Sequence, residues 1–320
     1  MQTQENKKIV LVTGIGGPAG VNTVRLLKDE PDVFVIGCDI DENSSGRFFV
    51  DVFLVSPNVS EKSEYEAWIR KTVEEHSVDI LIPTVHEELP VLLVFKDTLP
   101  CTVVMSEAEA IAVGDDKKIA YEWAEKNIPE HAIKWTVLSA WTPQWSDQAQ
   151  QFIKPRQGRG TRGCSVVSKD EIFNLQKLSL DPESLIVMEL VEGIEWTVDA
   201  YIGGDGTLVY TVPRERLGLA GGISIKGKTV KHQAVLDATK KVLSTLSCAG
   251  PVCVQFKADQ EGTPRFIEIN PRLSGGLPIS VAAGINPVKN MLREHTGERL
   301  EEQEWSEVTV LGYYEYKKLD

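Results

Sequence analysis

The chain has 320 residues, 42 % hydrophobic and 25 % charged, with 25 Gly and 16 Pro, a composition that excludes disordered and fibrous proteins and suits two or three packed subdomains. Its 34 Lys and Arg against 47 Asp and Glu give a formal net charge of −13, which argues against non-specific adhesion to nucleic acid or to an anionic membrane. No apolar run approaches the roughly 18 residues of a spanning helix, and the polar start MQTQENKK lacks the apolar core of a secretory signal. Cys38, Cys101, Cys164, Cys248 and Cys253 are odd in number and scattered without CxxC spacing, so reduced thiols in a cytoplasm are expected.

Residues 7–113 alternate between strand and helix patterns. IVLVT (9–13), VFVIG (33–37), DILI (79–82) and TVVM (102–105) are short apolar runs of the kind buried in a parallel sheet. Between them, Tyr65, Trp68, Ile69, Thr72 and Val73 recur at helical spacing over 61–76 and make one apolar stripe. Ser106 followed by Glu109 has the form of a capping box opening a helix at about 107–113. This alternation predicts a doubly wound α/β domain over 1–113. A helix over roughly 116–127 should turn Ile119, Trp123 and Ala124 to one side, and Pro129 ends it. The segment to about 150, with Trp135, Trp141 and Trp145 among polar residues, has no assignable pattern.

From QFIK (151–154) onward the pattern changes to hairpins with isolated helices, an α+β part. Ser168 and Glu171 form a second capping box, and LIVME (185–189) is a strand. Over 194–202, Ile194, Trp196, Val198, Ala200 and Ile202 alternate with Glu195, Thr197, Asp199 and Tyr201, so one face is apolar and the other polar. Gly203–Gly206 turns this strand into TLVYTVP, a helix follows over about 229–246, and VCVQFKA with RFIEI makes a last hairpin.

Three motifs carry chemistry. Gly14-Ile15-Gly16-Gly17-Pro18-Ala19, between a strand and a helix, fits G-x-G-x-x-G/A, with Asp39 some 20 residues on; either a dinucleotide site or merely a tight strand-to-helix turn would read this way. The loop from Lys154 to Gly163 holds three glycines and three arginines, a backbone free to aim N–H groups at an anion, although a solvated turn or an RNA contact has a similar composition. In the last hairpin, symmetric pairing about the loop Asp259–Pro264 sets Ala258 opposite Arg265 and Gln255 opposite Glu268, with Asn270 on the same face as Glu268. Those oxygen donors suit Mg²⁺ bridging phosphates, unless they are simply the polar outer face of a hairpin. The sequel Pro271-Arg272-Leu273-Ser274-Gly275-Gly276 adds a cation and a Gly-rich turn directly after them.

Asp116-Lys117, FIKP with its Gly-rich loop, LIVMELVEGIEWTVD, VCVQFKA and FIEINPRLSGG follow one another in an order that resembles the ATP-grasp superfamily. The similarity is greatest to one synthetase unit of the carbamoyl-phosphate synthase large chain and to single-unit carboxylate–amine ligases. The resemblance implies a pre-ATP-grasp domain at 1–113, a small subdomain with the lid at 114–187 and a large subdomain at 188–320. It implies ATP and Mg²⁺ (or Mn²⁺) as cofactors. Lys117 and Lys154 would meet the nucleotide phosphates, and Gly158, Gly160 and Thr161 would belong to the lid. Glu189, Leu190 and Val191 would form the hinge that reads adenine through its backbone, and Glu195 would bind the ribose. Gln255, Glu268 and Asn270 would hold the metal, while Arg272, with Lys154, would steady the transferred phosphoryl group.

The implied activity is ATP-dependent joining of a small-molecule carboxylate to an amine or ammonia through an acyl phosphate, with no nucleic-acid or membrane partner and a homodimer as the assembly to consider. Gly16, Gly17, Glu87, Arg214, Arg216, Ser274 and Gly275 are the candidate substrate residues; Arg214 and Arg216 would grip a carboxylate or form a rim salt bridge. His86 reads as a structural histidine. The alternatives are a non-catalytic ATP-binding regulator and an NAD(P)-dependent enzyme using the first Gly-rich turn. One unit rather than two, no amidotransferase region, and Gly275 where the carbamoyl-phosphate synthase pattern has arginine all shift expectation from bicarbonate towards an amino acid or another carboxylate.

Overall fold

The computed structural model describes residues 7–158, 160, 162–220, 223–313 and 315–319. The first sheet is wholly parallel, in the order β3-β2-β1-β4-β5, with β1 Lys8–Thr13, β2 Val33–Asp39, β3 Val52–Val55, β4 Ile80–Ile82 and β5 Thr102–Val103. Its helices are α1 Pro18–Lys28, α2 Lys62–Glu75, α3 Leu89–Phe95 and α4 Ala108–Asp115. The central strand β1 is buried on both faces: Leu11 packs with Tyr65, Ile69 and Val73 of α2, whereas Val10 and Val12 pack with Val24 and Leu27 of α1. This is why the parallel strands read as continuous apolar runs rather than alternating ones. The edge strand β3 was not among the expected strands; three of its four residues are only half-buried and it pairs on one side alone.

Helix α5 Lys117–Asn127 links this domain to the second sheet, which has the order β6-β9-β7-β8. Its strands are β6 Trp135–Val137, β7 Gln150–Pro155, β8 Ser165–Ser168 and β9 Leu185–Glu189, with α6 Lys169–Leu178 between β8 and β9. The third sheet, β14-β13-β10-β11-β12-β15, consists of β10 Glu195–Ile202, β11 Leu208–Ala220, β12 Ile223–Thr229, β13 Gly250–Ala258, β14 Pro264–Asn270 and β15 Thr309–Leu311. Helices α7 Gln233–Thr245, α8 Leu277–Ala282 and α9 Pro287–His295 complete it.

Several local expectations are met and others corrected. The Ser168 and Glu171 capping box forms at α6, each side chain bonding the other residue's backbone N–H. The Ser106 box does not. Glu107 is the N-cap of α4, and Ser106 Oγ instead accepts the backbone N–H of Ala249 at 3.0 Å, tying the first domain to the third sheet. In α5 the buried side is Ala120, Tyr121, Trp123 and Ala124, and Ile119 faces outward. Within the tryptophan-rich segment, Trp135 opens β6 and buried Trp141 donates from Nε1 to Gln151 Oε1 at 2.7 Å. A polar bond inside that small core is what alternation rules cannot reveal.

Strand β10 is covered on both faces. Trp196, Val198 and Ile202 enter one core with β13, β14 and α7, while Thr197, Asp199 and Tyr201 are buried on the other side; Ile194 precedes the strand and is exposed. The last hairpin contains a correction that matters for the site. Near its loop the pairs are Ala258 with Pro264, Lys257 with Arg265 and Phe256 with Phe266, one residue out of step with symmetric pairing. An extra residue, Ile267, then restores Gln255 opposite Glu268. This bulge lets Phe266 and Ile269, three residues apart, both reach the core and leaves Glu268 and Asn270 on the other face.

The buried Tyr121 hydroxyl donates to the Ile267 carbonyl at 3.0 Å and so satisfies the bulge. Tyr121→Phe leaves that carbonyl without its donor and should lower the unfolding free energy by about 1–3 kcal/mol in urea titration. An unchanged midpoint would mean that the bulge stands without it.

Candidate active site

A cleft of about 1320 Å³ runs from the Gly-rich turn after β1, past the end of β4, to the polar face of β13 and β14. At its inner end the bulged hairpin presents Gln255, Glu268 and Asn270, and all three line the cleft. Glu268 is the electrostatic centre. Burial pushes its carboxyl up, but the ammonium groups of Lys154 and Lys117, a hydrogen bond from Asn270 Nδ2 at 3.0 Å and the Arg272 guanidinium outweigh burial and hold it below the ordinary carboxylate value.

Lys154, on β7, is itself buried, with Nζ 5.2 Å from the centroid of the Tyr121 ring. Among the described residues no hydrogen bond or ion pair is made by that ammonium. Burial draws it below its usual value, against the pull of Glu268. Lys117, the first residue of α5, donates from Nζ to the Gly158 carbonyl at 3.1 Å; burial lowers it, and the charge of Lys154 adds to this while Glu268 opposes it. Asp116 caps α5 by accepting the Lys118 N–H at 2.9 Å and pairs with Arg156, fixing the lid's first arginine at the root of the loop. Gly158 and Gly160 adopt φ of +118° and +67°, so the lid needs glycine at both positions. Arg159 and Thr161 lie outside the described residues.

Arg272 donates to the Leu273 carbonyl at 2.7 Å and to Asn270 Oδ1 at 3.3 Å. The Glu268 carboxylate with the carboxamides of Gln255 and Asn270 supplies hard oxygen donors of the kind that fit Mg²⁺, once Asn270 turns its oxygen from Arg272. Among the described residues no three His, Cys, Asp or Glu side chains are placed to hold a metal by themselves. A cation here therefore suits ligands shared with phosphate oxygens.

The remaining candidates divide. Glu195 is paired with Arg216. Glu189 accepts from Ser146 Oγ at 3.1 Å and lies 3.8 Å from Lys134 Nζ. The Leu190 backbone is bonded twice by Gln148, and Val191 packs against the main core. None of these four is among the residues lining the cleft. Arg214 is not at the rim: it is 1 % exposed, donates to both oxygens of Asp199 at 2.8 and 3.2 Å, and reaches Ser274 Oγ at 3.1 Å. A Cβ on Gly276 would lie 2.4 Å from Arg214 Nη1, so glycine is what allows the turn to pass there. Gly275 accepts from Asn22 Nδ2 of α1 at 3.3 Å.

At the outer end, the Gly16 N–H donates to Asp39 Oδ2 at 2.7 Å. The turn and the acid that would take pyrophosphate and ribose thus bond each other, and the dinucleotide reading loses its free donor there. Gly17 and Glu87 line the same stretch. His86, buried with Nε2 3.7 Å from Asp115, is lowered first by burial and then by Arg272, which favours the neutral ring.

Sequence reading missed Gln148, Asp199 as the partner of Arg214, and Glu88. Fully buried Glu88 accepts from Thr13 Oγ1 at 2.7 Å, from the Val85 N–H at 2.7 Å and from the Tyr65 hydroxyl, so it braces the ends of β1 and β4. Its only sequence signal was a third polar residue in His86-Glu87-Glu88 directly before an apolar helix.

Three comparisons bear on this arrangement. Residues 181–316 match a family model described as ATP-grasp in the biosynthetic pathway with Ter operon. The carbamoyl phosphate synthase large chain of Caldanaerobacter subterraneus is 29 % identical over 127 residues, covering 37 % of this chain and only 12 % of that relative's length. Among solved structures, N5-carboxyaminoimidazole synthetase from Staphylococcus aureus, complexed with ADP, superposes with a TM-score of 0.75 at 14 % identity, covering 94 % of this chain and 79 % of that one. Biotin carboxylase from Campylobacter jejuni gives 0.72 at 14 %, covering 92 % and 72 %. The chain has the ATP-grasp fold, and its residues 181–316, which hold most of the third sheet, match that family model.

Burial raises the Glu88 carboxyl, so the native state holds that proton more tightly than the unfolded chain. Its contribution to stability is full below the ordinary carboxylate range and is lost as pH climbs through the native value. Melting of the wild type should therefore be depressed at about pH 8 relative to about pH 5 by more than that of Glu88→Gln; identical pH dependence would remove Glu88 as a source.

Proposed function

We propose that the protein is an ATP-dependent ligase that activates a small carboxylate as an acyl phosphate and passes the acyl group to an amine or ammonia. The observation that carries this reading is the convergence of Lys117, Lys154 and Arg272 on the carboxylate Glu268, at the inner end of a cleft continuous with the first domain. More cations than carboxylates in a buried place, within a chain of net charge −13, is an environment suited to a polyanion. The names of the similar proteins, a carboxyaminoimidazole synthetase, a carbamoyl phosphate synthase and a biotin carboxylase, support the same reaction class.

In this reading Lys154 and Lys117 approach the phosphates from β7 and from the start of α5, and the lid at 157–163 covers them. The backbone of Glu189, Leu190 and Val191 meets adenine, and Glu195, turned from Arg216, meets the ribose. Gln255, Glu268 and Asn270 would hold Mg²⁺, which when bound neutralises phosphate charge. The substrate carboxylate oxygen bonds to the γ-phosphorus as the bridging bond to ADP breaks; the amine nitrogen then bonds to the acyl carbon, and phosphate leaves. The chain itself contributes positioning, charge neutralisation by Lys154 and Arg272, and exclusion of water by the lid, with no side-chain nucleophile. Gly16, Gly17 and Glu87 are assigned to the acceptor end. Arg214 holds Ser274 and the Gly275-Gly276 turn in place while lining the same cleft.

The test is release of ADP and phosphate across amino acids, dicarboxylates and bicarbonate, each with and without ammonia. At least one carboxylate should raise turnover above the carboxylate-free rate. ADP release that no carboxylate stimulates would leave a nucleotide hydrolase or regulator instead. With the active pair in hand, Glu268→Gln should lose on the order of a hundredfold or more in kcat/KM while keeping the wild-type circular dichroism spectrum. Retained turnover would take Glu268 out of the reaction.

A further inference from the structure

Leu190 lies just past the end of β9, where the strand leaves the second sheet towards the third. Glu189 is the last residue of that strand to pair with β7, opposite Gln151. Beyond it no β7 backbone meets Leu190. The side chain of Gln148 does so instead. Its Oε1 accepts the Leu190 N–H at 2.7 Å and its Nε2 donates to the Leu190 carbonyl at 3.1 Å. The carboxamide is held from behind. Gln148 N–H donates to Ser146 Oγ at 3.3 Å, that hydroxyl donates to Glu189 at 3.1 Å, and Lys169 Nζ donates to the Ser146 carbonyl at 2.5 Å.

A primary carboxamide presents one N–H donor beside one acceptor, and the adenine edge formed by N6 and N1 presents the same pair with the same polarity. Only one of them can fill both the N–H and the carbonyl of Leu190 at a time. We infer that the Gln148 carboxamide competes with adenine for the Leu190 backbone, so that a nucleotide must displace it to bind. This rests on the ATP reading above. The side chain is half-buried and sits on a segment without regular structure, so it can swing out without breaking a strand. Two neutral hydrogen bonds, each weak on balance against water, then act as a constant penalty on nucleotide affinity.

Calorimetric titration of the full chain with MgADP and with MgGDP tests this in wild type, Gln148→Ala and Gln148→Met, the last keeping the bulk without the hydrogen bonds. Both variants should bind MgADP about three- to tenfold more tightly, whereas MgGDP, whose guanine edge has the opposite donor–acceptor order, should gain less. Unchanged or weaker MgADP binding in both variants, with wild type binding normally, overturns the inference and leaves the ATP reading intact. No MgADP binding by any of the three overturns the ATP reading and this inference with it. Amide exchange gives a second reading: the Leu190 N–H should exchange slowly in wild type and faster in Gln148→Met, and slow exchange in the variant would also overturn the inference.

Discussion

A half-buried carboxylate set among three cations dictates most of what surrounds it. Partial removal from water works against the ionised form of Glu268, which is half-buried at the inner end of the cleft. Lys154, Lys117 and Arg272 reverse that penalty, and each comes from a different part of the chain: β7, the start of α5 and the turn after β14. The second sheet, the linking helix and the third sheet must therefore meet at one point for any of these charges to be tolerated. The cores beneath them, one under β10, β13 and α7 and one around β1 and α1, provide the apolar burial that brings them together.

How much of this was legible beforehand differs from element to element. Four of the five parallel strands and α2 were readable, because burial on both faces or along one stripe leaves a plain trace, which the half-buried edge strand β3 lacks. Gln255 opposite Glu268 was also readable, but by compensation: the loop pairs one residue out of step and Ile267 makes up the difference. No period-two argument contains a bulge, which depends here on a tyrosine from a helix nearly 150 positions away (Tyr121 to Ile267). Ser106 looked like a helix cap and is a bond between domains, because Ala249 N–H needed an acceptor and the two motifs look alike in one dimension. Arg214 read as a grip on a carboxylate or a rim salt bridge because nothing in the sequence marks Asp199 as its partner across adjacent strands. Gln148 left no mark at all, being one amide in a segment without period.

Arg214 also shows how polar groups set the shape of an otherwise apolar lobe. It spends its donors on Asp199 and Ser274, and Ser280 Oγ reaches the same Asp199 at 2.5 Å. The turn 274–276 is thereby pinned from below, while Asn22 of α1 grips it from the other side through the Gly275 carbonyl. The floor of the cleft and the first domain share that turn, so the spacing between inner and outer ends is set by a few directional bonds rather than by general packing.

The extra residue at Ile267 splits the last hairpin into two independently phased lengths. The tip keeps time with the core through Phe256 and Phe266, and the far end keeps time with the cleft through Gln255 and Glu268. Drift in the composition of the tip over generations can be absorbed at that offset, and the oxygen donors at the far end need not move with it.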